Sequence, residues 1–201
     1  MNQTAQNKKE SGFSLIELLV VSVILVFIIG IIGGIVTGVQ RSYSQQRVQT
    51  EAINDATAAL DMLIRLIRTA GNNPYSISGF QALDPGTAVG GVYQTIRLRS
   101  DWRGATMDSL PDGDTDDPFE NIYFVVENGK LMKQEATDTG TVEFLDNVNS
   151  ISFFYYDTNN TLITNPASSP TSISRVDVML VMKSANNSLM TFRSSAFIRQ
   201  R

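Results

Sequence analysis

The chain has 201 residues, a formal net charge of −4, and neither cysteine nor histidine. Those two absences exclude a Ser-His-Asp triad, an HExxH zinc centre, an imidazole base, a thiolate nucleophile, an iron–sulfur cluster and a disulfide. The average composition, 42% hydrophobic and 18% charged, hides two unlike parts: residues 13–40 are almost wholly apolar, whereas residues 72–201 are polar and acidic.

The apolar part comes first. Residues 18–40 form a run of 23 without a charge, LLVVSVILVFIIGIIGGIVTGVQ. As a helix rising about 1.5 Å per residue, this run reaches about 35 Å, enough to cross a hydrocarbon core about 30 Å thick. A cleaved secretory signal has a shorter apolar core followed by a small-x-small site. This run is longer, lacks that site and leads into a patterned helix, so it is expected to stay with the protein. Lys8 and Lys9 before the span are balanced by Arg41 and Arg47 after it. Basic charge therefore does not set its orientation.

Glu17 stands four residues inside the apolar stretch. A carboxylate there costs about 2.5–3.5 kcal/mol at mid-membrane and less near the interface. Two readings are open: a carboxylate at headgroup depth near a helix end, or one that awaits a cation. Cleavage after Gly12 would create such a cation, the α-amine of Phe13 on a neighbouring subunit.

The segment Gly12-Phe13-Ser14-Leu15-Ile16-Glu17 followed by an apolar helix resembles the class III signal of type IV prepilins and type II secretion pseudopilins. The resemblance implies that a membrane-embedded aspartyl peptidase cuts after Gly12, that the new N-terminal Phe13 is methylated, and that Glu17 aids docking into a growing filament. It implies a cytoplasmic leader of residues 1–12, basic at Lys8 and Lys9, then a pilin helix over 13–71 with a membrane span at about 16–39. Residues 72–201 would be a periplasmic or extracellular head. Partners implied are the prepilin peptidase, other major and minor pilins or pseudopilins, an inner-membrane assembly platform, and membrane lipid before assembly. The expected location is the bacterial inner membrane, N-terminus cytoplasmic and head periplasmic, and then the filament.

Helical periodicity persists beyond the span. Ile53, Ala56, Leu60, Leu63, Ile67 and Ala70 recur at three- and four-residue steps, one apolar stripe. Gly71-Asn72-Asn73-Pro74 stops the helix. A continuous helix over 14–70 would be about 85 Å long. Gly30, Gly33, Gly34 and Gly38 leave a hinge between two helices as the alternative. Their spacing also allows close approach of another helix.

The head reads as strands and loops. Alternation predicts a strand over 92–99, and strands at 122–127 and 130–135 flank Asn128-Gly129, a strong hairpin signal. Further strands fall at 148–156, 176–182 and 189–198, the last antiparallel to the one before. The fold class expected is α+β, with the second half of the helix packed across an antiparallel sheet. Residues 121–134 (NIYFVVENGKLMKQ) and 144–157 (FLDNVNSISFFYYD) resemble PilW-like minor pilins and J-type minor pseudopilins, which implies a minor subunit that helps initiate or cap a filament. A major subunit, or a filament-displayed module binding surfaces or DNA, is the alternative. Many type IV pilins carry a disulfide near the C-terminus; without cysteine, the last strands here must be held by packing and hydrogen bonds.

Residues 111–120, PDGDTDDPFE, form an acidic loop. Asp112, Asp114 and Asp116 alternate like the first ligands of a calcium loop, whose hard oxygens suit Ca²⁺. Asp117 stands where the usual glycine would be, so this is not an EF-hand. Asp117 or Glu120 could complete a different oxygen cage; the plain alternative is a solvated acidic turn.

Catalysis finds little support. The carboxylates lie in a turn-rich loop with no partner base, no Gly-rich phosphate loop follows a strand, and Lys183 beside Ser184 is a lone pairing in a hairpin. Residues 72–201 carry 10 Lys/Arg against 15 Asp/Glu, a formal −5. That repels phosphates on average and speaks against nucleic acid, with only a weak patch at Arg193, Arg199 and Arg201 in its favour.

Overall fold

The computed structural model describes residues 14–104, 106, 109–184 and 187–198. The chain divides into two compact units, Met1–Arg47 and Val48–Arg201. One element, helix α1 (Leu15–Thr69, 55 residues), begins in the first and ends in the second.

In the first unit residues 15–47 are helical and exposed throughout. An 18-residue window there reaches a mean hydropathy of 3.2, and the helix is long and apolar enough to cross a membrane. A surface of that length and hydropathy suits lipid or other helices better than water. The helix passes through Gly30, Gly33, Gly34 and Gly38 without a break, so the two-helix alternative is not realised. The Thr37 hydroxyl donates to the carbonyls of Gly33 (3.1 Å) and Gly34 (2.9 Å). A Cβ at any of the four glycines would meet nothing within 4 Å.

In the second unit the amphipathic stripe is buried. Ala56, Ala59, Leu60, Leu63, Ile64 and Ile67 face the core, while Ile53, expected on the same stripe, is 44% exposed. The helix ends as its sequence requires. Gly71 takes a positive φ of 89°, and its N–H donates across to the carbonyl of Arg99 at 3.0 Å.

The strands form two antiparallel sheets where the sequence suggested one. The first runs β1 (Leu83–Asp84), β4 (Ile96–Arg99), β5 (Asn121–Glu127), β6 (Lys130–Glu135), β7 (Val142–Leu145) in spatial order. The second runs β10 (Leu189–Phe197), β9 (Arg175–Lys183), β8 (Val148–Tyr156), β3 (Val92–Tyr93), β2 (Ala88–Val89). One core joins helix and sheets: Leu63 and Ile67 of α1, Ile96 and Phe124 of the first sheet, Phe153 and Leu180 of the second are all buried within it.

The strand expected over 92–99 is two strands in different sheets. Tyr93 pairs with Phe153 of β8, whereas Ile96 pairs with Phe124 of β5. The chain changes sheet at Gln94-Thr95, and the alternation slips there by one residue: Tyr93 is buried before the change, Ile96 and Leu98 after it. The other expected strands stand within a residue or two of their places, and the short β1, β2 and β7 are additions. Asn128 (φ 51°) and Gly129 (φ 78°) close the β5–β6 hairpin with two positive φ angles, as a two-residue primed turn demands. In place of a disulfide, β10 pairs with β9 over nine residues, from Leu189↔Lys183 to Phe197↔Arg175.

Candidate functional site

Two places in the described residues carry the chemistry singled out in the sequence. The first is the start of α1. Gly12 and Phe13 lie outside the described residues, which begin at Ser14. Glu17 is exposed in the first helical turn, and its Oε2 accepts the backbone N–H of Ser14 at 3.3 Å. Ser14 is the residue before the helix and Glu17 the third within it, so this is the reach-back half of a capping box. The carboxylate also sits at the positive end of the helix dipole. Both effects hold Glu17 beside the point where the chain enters the helix. The spacing Ser-x-x-Glu was a signal in the sequence; its meaning as a cap was missed.

The second place is the acidic loop. Asp112, Asp114 and Asp117 each bring a carboxylate oxygen within 4.8 Å of the others; the first two are exposed and Asp117 is buried. Asp116 does not join them: its backbone N–H donates to Asp114 Oδ1 at 2.9 Å. Glu120 is wholly buried, and its Oε1 accepts the backbone N–H groups of Trp102 (2.7 Å) and Arg103 (2.9 Å). Arg103 Nε in turn donates to the Pro118 carbonyl at 2.9 Å. Residues 101–104 are thereby fastened beneath the loop.

This fastening brings in Asp101, which the sequence did not suggest. It follows β4, and Asn72, three residues past the end of α1, holds its backbone. The Asp101 N–H donates to the Asn72 carbonyl, and Asn72 Nδ2 donates to the Asp101 carbonyl, both at 2.7 Å. Its side chain is 0% exposed, and neither carboxylate oxygen has a hydrogen-bond partner among the described residues. Burial, then the charges of Asp112 and Asp114, push the Asp101 carboxyl above its ordinary range; the backbone N–H groups of Gly113 and Asp112 lie near enough to oppose them. Burial and then Asp112 and Asp114 likewise raise Asp117, with Arg103 opposing. Glu120 is raised by burial first, against the two backbone N–H groups it accepts. Asp117 Oδ2 and Glu120 Oε2 also lack hydrogen-bond partners among the described residues. Gly104 lines the same place: a Cβ there would stand 3.2 Å from Asp112 Oδ2 and 2.9 Å from the Leu110 carbonyl.

The remaining candidates stay apart. Lys183 ends β9 on the surface, while Ser184 is buried in the following turn with its N–H on the Ser188 carbonyl (2.8 Å). Arg193 is exposed on the edge strand β10; Arg199 and Arg201 lie outside the described residues.

Residues 7–37 match the family model of the prokaryotic N-terminal methylation motif. No curated protein matches the chain. The motif supports a protein of the type IV pilin or pseudopilin kind. It implies processing by a prepilin peptidase and assembly with other pilins, and it suggests a structural rather than enzymatic role. Motif and apolar helix together fit membrane anchoring followed by pilus or pseudopilus assembly.

Proposed function

We propose that the chain is a minor subunit of a type IV pilus or type II secretion pseudopilus, cut after Gly12, methylated at Phe13, and docked through Glu17 to help initiate or cap the filament. The observation that carries this reading is the start of α1. A carboxylate is held at the entrance of a helix whose side chains over residues 15–47 are exposed and mostly apolar over the first 25 or so. In a filament core such helices cover one another, and the surrounding medium loses its water. Glu17 then needs a positive partner, and a neighbour's Phe13 α-amine at the same depth provides it. Before assembly lipid covers the same surface, with the leader cytoplasmic and the head periplasmic.

The minor role rests on the resemblance of residues 121–134 and 144–157 to PilW-like and J-type subunits. The hairpin and the strand β8 that these stretches form are compatible with it. The test is Glu17→Val in cells carrying the prepilin peptidase. The variant should still be cut and still reside in the membrane, but enter filaments at least about tenfold less than wild type. Incorporation equal to wild type would remove the docking role.

A further inference from the structure

We propose that the open edge of β10 takes up an extended strand of another polypeptide, paired backbone to backbone, and that Arg193 selects a strand with an acidic residue at its centre. This surface belongs to the head and does not depend on how the N-terminus is processed.

The backbone comes first. Of the four strands that end the two sheets, β1 and β2 have two residues each and β7 has four, whereas β10 has nine. Short edge strands, prolines, bulges and charges keep a sheet edge from pairing. β10 has no proline, and its register with β9 runs to its end without a shift. The hydrogen bonds just beyond its two ends fix which groups are free. The Ser184 N–H donates to the Ser188 carbonyl at 2.8 Å, and the Ile198 N–H to the Ser174 carbonyl at 2.9 Å. Both pairs continue the β9–β10 register, and in an antiparallel ladder every second residue bonds to the same neighbour. The even-numbered residues of β10 therefore bond to β9, while Leu189, Thr191, Arg193, Ser195 and Phe197 turn N–H and C=O to the open side. All five are exposed, and among the described residues no strand lies beyond them. On the core side Met190 and Phe192 are only half-buried, so a further strand would complete their cover.

Charge decides the occupant. Arg193 stands at the centre of β10, exposed and without an ion pair among the described residues. Two copies of β10 laid antiparallel in full overlap would set this arginine against its counterpart, and like charges directly opposite destabilise a pair. An Asp or Glu in the same place is favoured, because residues opposite in a ladder share a face. Leu189 and Phe197, 59% and 67% exposed, mark the two ends of that face. The fitting strand is thus acidic in the middle and apolar at its ends and on its core side. Its backbone supplies affinity and its alternate side chains specificity.

The experiment uses the full chain in detergent, with blocked synthetic peptides the length of β10 that alternate valine and threonine around a central glutamate or a central lysine. Hydrogen exchange at single amides is the readout. In the chain alone the amides of Thr191, Arg193 and Ser195 should exchange freely and those of Phe192 and Ser194 slowly. The glutamate peptide should slow the first set and bind at least about fivefold tighter than the lysine peptide at low salt. Ser195→Pro removes only an outward N–H, so it should melt within about 3 °C of wild type yet lose at least about tenfold in peptide affinity. Ser194→Pro, which removes a bond to β9, should melt much lower. Should Ser195→Pro fail to fold, Arg193→Glu carries the test by reversing the preference between the peptides. Free exchange unchanged by either peptide at about 1 mM would overturn strand addition. Equal binding of the two peptides would remove the selecting role of Arg193. Protection that rises with protein concentration alone would give the edge to a second copy and overturn the acidic partner.

Discussion

Glu17 and Asp101 are both carboxylates where a carboxylate is costly, and the chain treats them differently. Glu17 is exposed and takes part in a local cap at the positive end of the helix dipole, which lowers the cost of its charge. Asp101 is buried, with both oxygens lacking a hydrogen bond among the described residues. Tyr155 is a third buried polar group of another kind. Its ring packs edge-on against Tyr93 at 5.5 Å, it is 1% exposed, and its hydroxyl has no partner among the described residues. Burial, then Tyr93 and Asp84, raise its pKa well above the ordinary phenol value. Between that ordinary value, about 10, and the raised one, the folded state holds a proton that the unfolded state releases. The contribution of Tyr155 is therefore fully present below about pH 10 and is lost as pH rises beyond it. An alkaline absorbance titration should show at least one of the six tyrosines ionising only as the head unfolds. In Tyr155→Phe that late step should vanish, with stability unchanged or raised by up to about 1 kcal/mol. A late step of full size in the variant would assign it to another tyrosine. Glu17 was legible at this scale from its company of Gly12, Phe13 and an apolar run. Asp101 was not, because a single Asp after a strand carries no local mark; only the fold brings residues 72, 101 and 112–117 together.

At the scale of elements, periodicity told most of what mattered. The stripe on α1, the hairpin at Asn128-Gly129 and the long strands β8, β9 and β10 follow from local pattern, most cleanly in α1 and β9, each of which buries one face against the core. The division of 92–99 between two sheets did not follow, since alternation reports which side faces the core and not which neighbour supplies the hydrogen bonds. The hairpin turn offers a clean test. Gly129 has φ 78°, and a Cβ there would make only ordinary contact, 3.9 Å from the Val148 carbonyl. Gly129→Ala should therefore cost only the left-handed backbone penalty, about 1–2 kcal/mol by chemical denaturation. A loss beyond about 3 kcal/mol would mean that the turn has a further constraint. Along α1, Leu63 is 1% exposed and Val26 is 70% exposed. Leu63→Ala should cost the head about 2–5 kcal/mol, whereas Val26→Ala should leave head melting unchanged within about 0.5 kcal/mol. Equal effects would contradict the assignment of these two stretches of helix to different environments.

For the whole molecule, the division seen in composition is the division seen in structure: an exposed apolar helix in one unit and a two-sheet core built on the rest of that helix in the other. Without cysteine, the head closes through the nine-residue β9–β10 ladder and its single core. Residues 72–201 carry a formal charge of −5, which repels phosphates on average. The central claim concerns the other end of the chain. The measurement that tests it most directly is the intact mass and N-terminal sequence of the protein from its native membrane or filament fraction. A chain that begins at Phe13 and carries one added methyl group is the expected result. A chain that retains residues 1–12 in cells with an active prepilin peptidase would contradict it, because no Phe13 amine would then exist for Glu17 to meet.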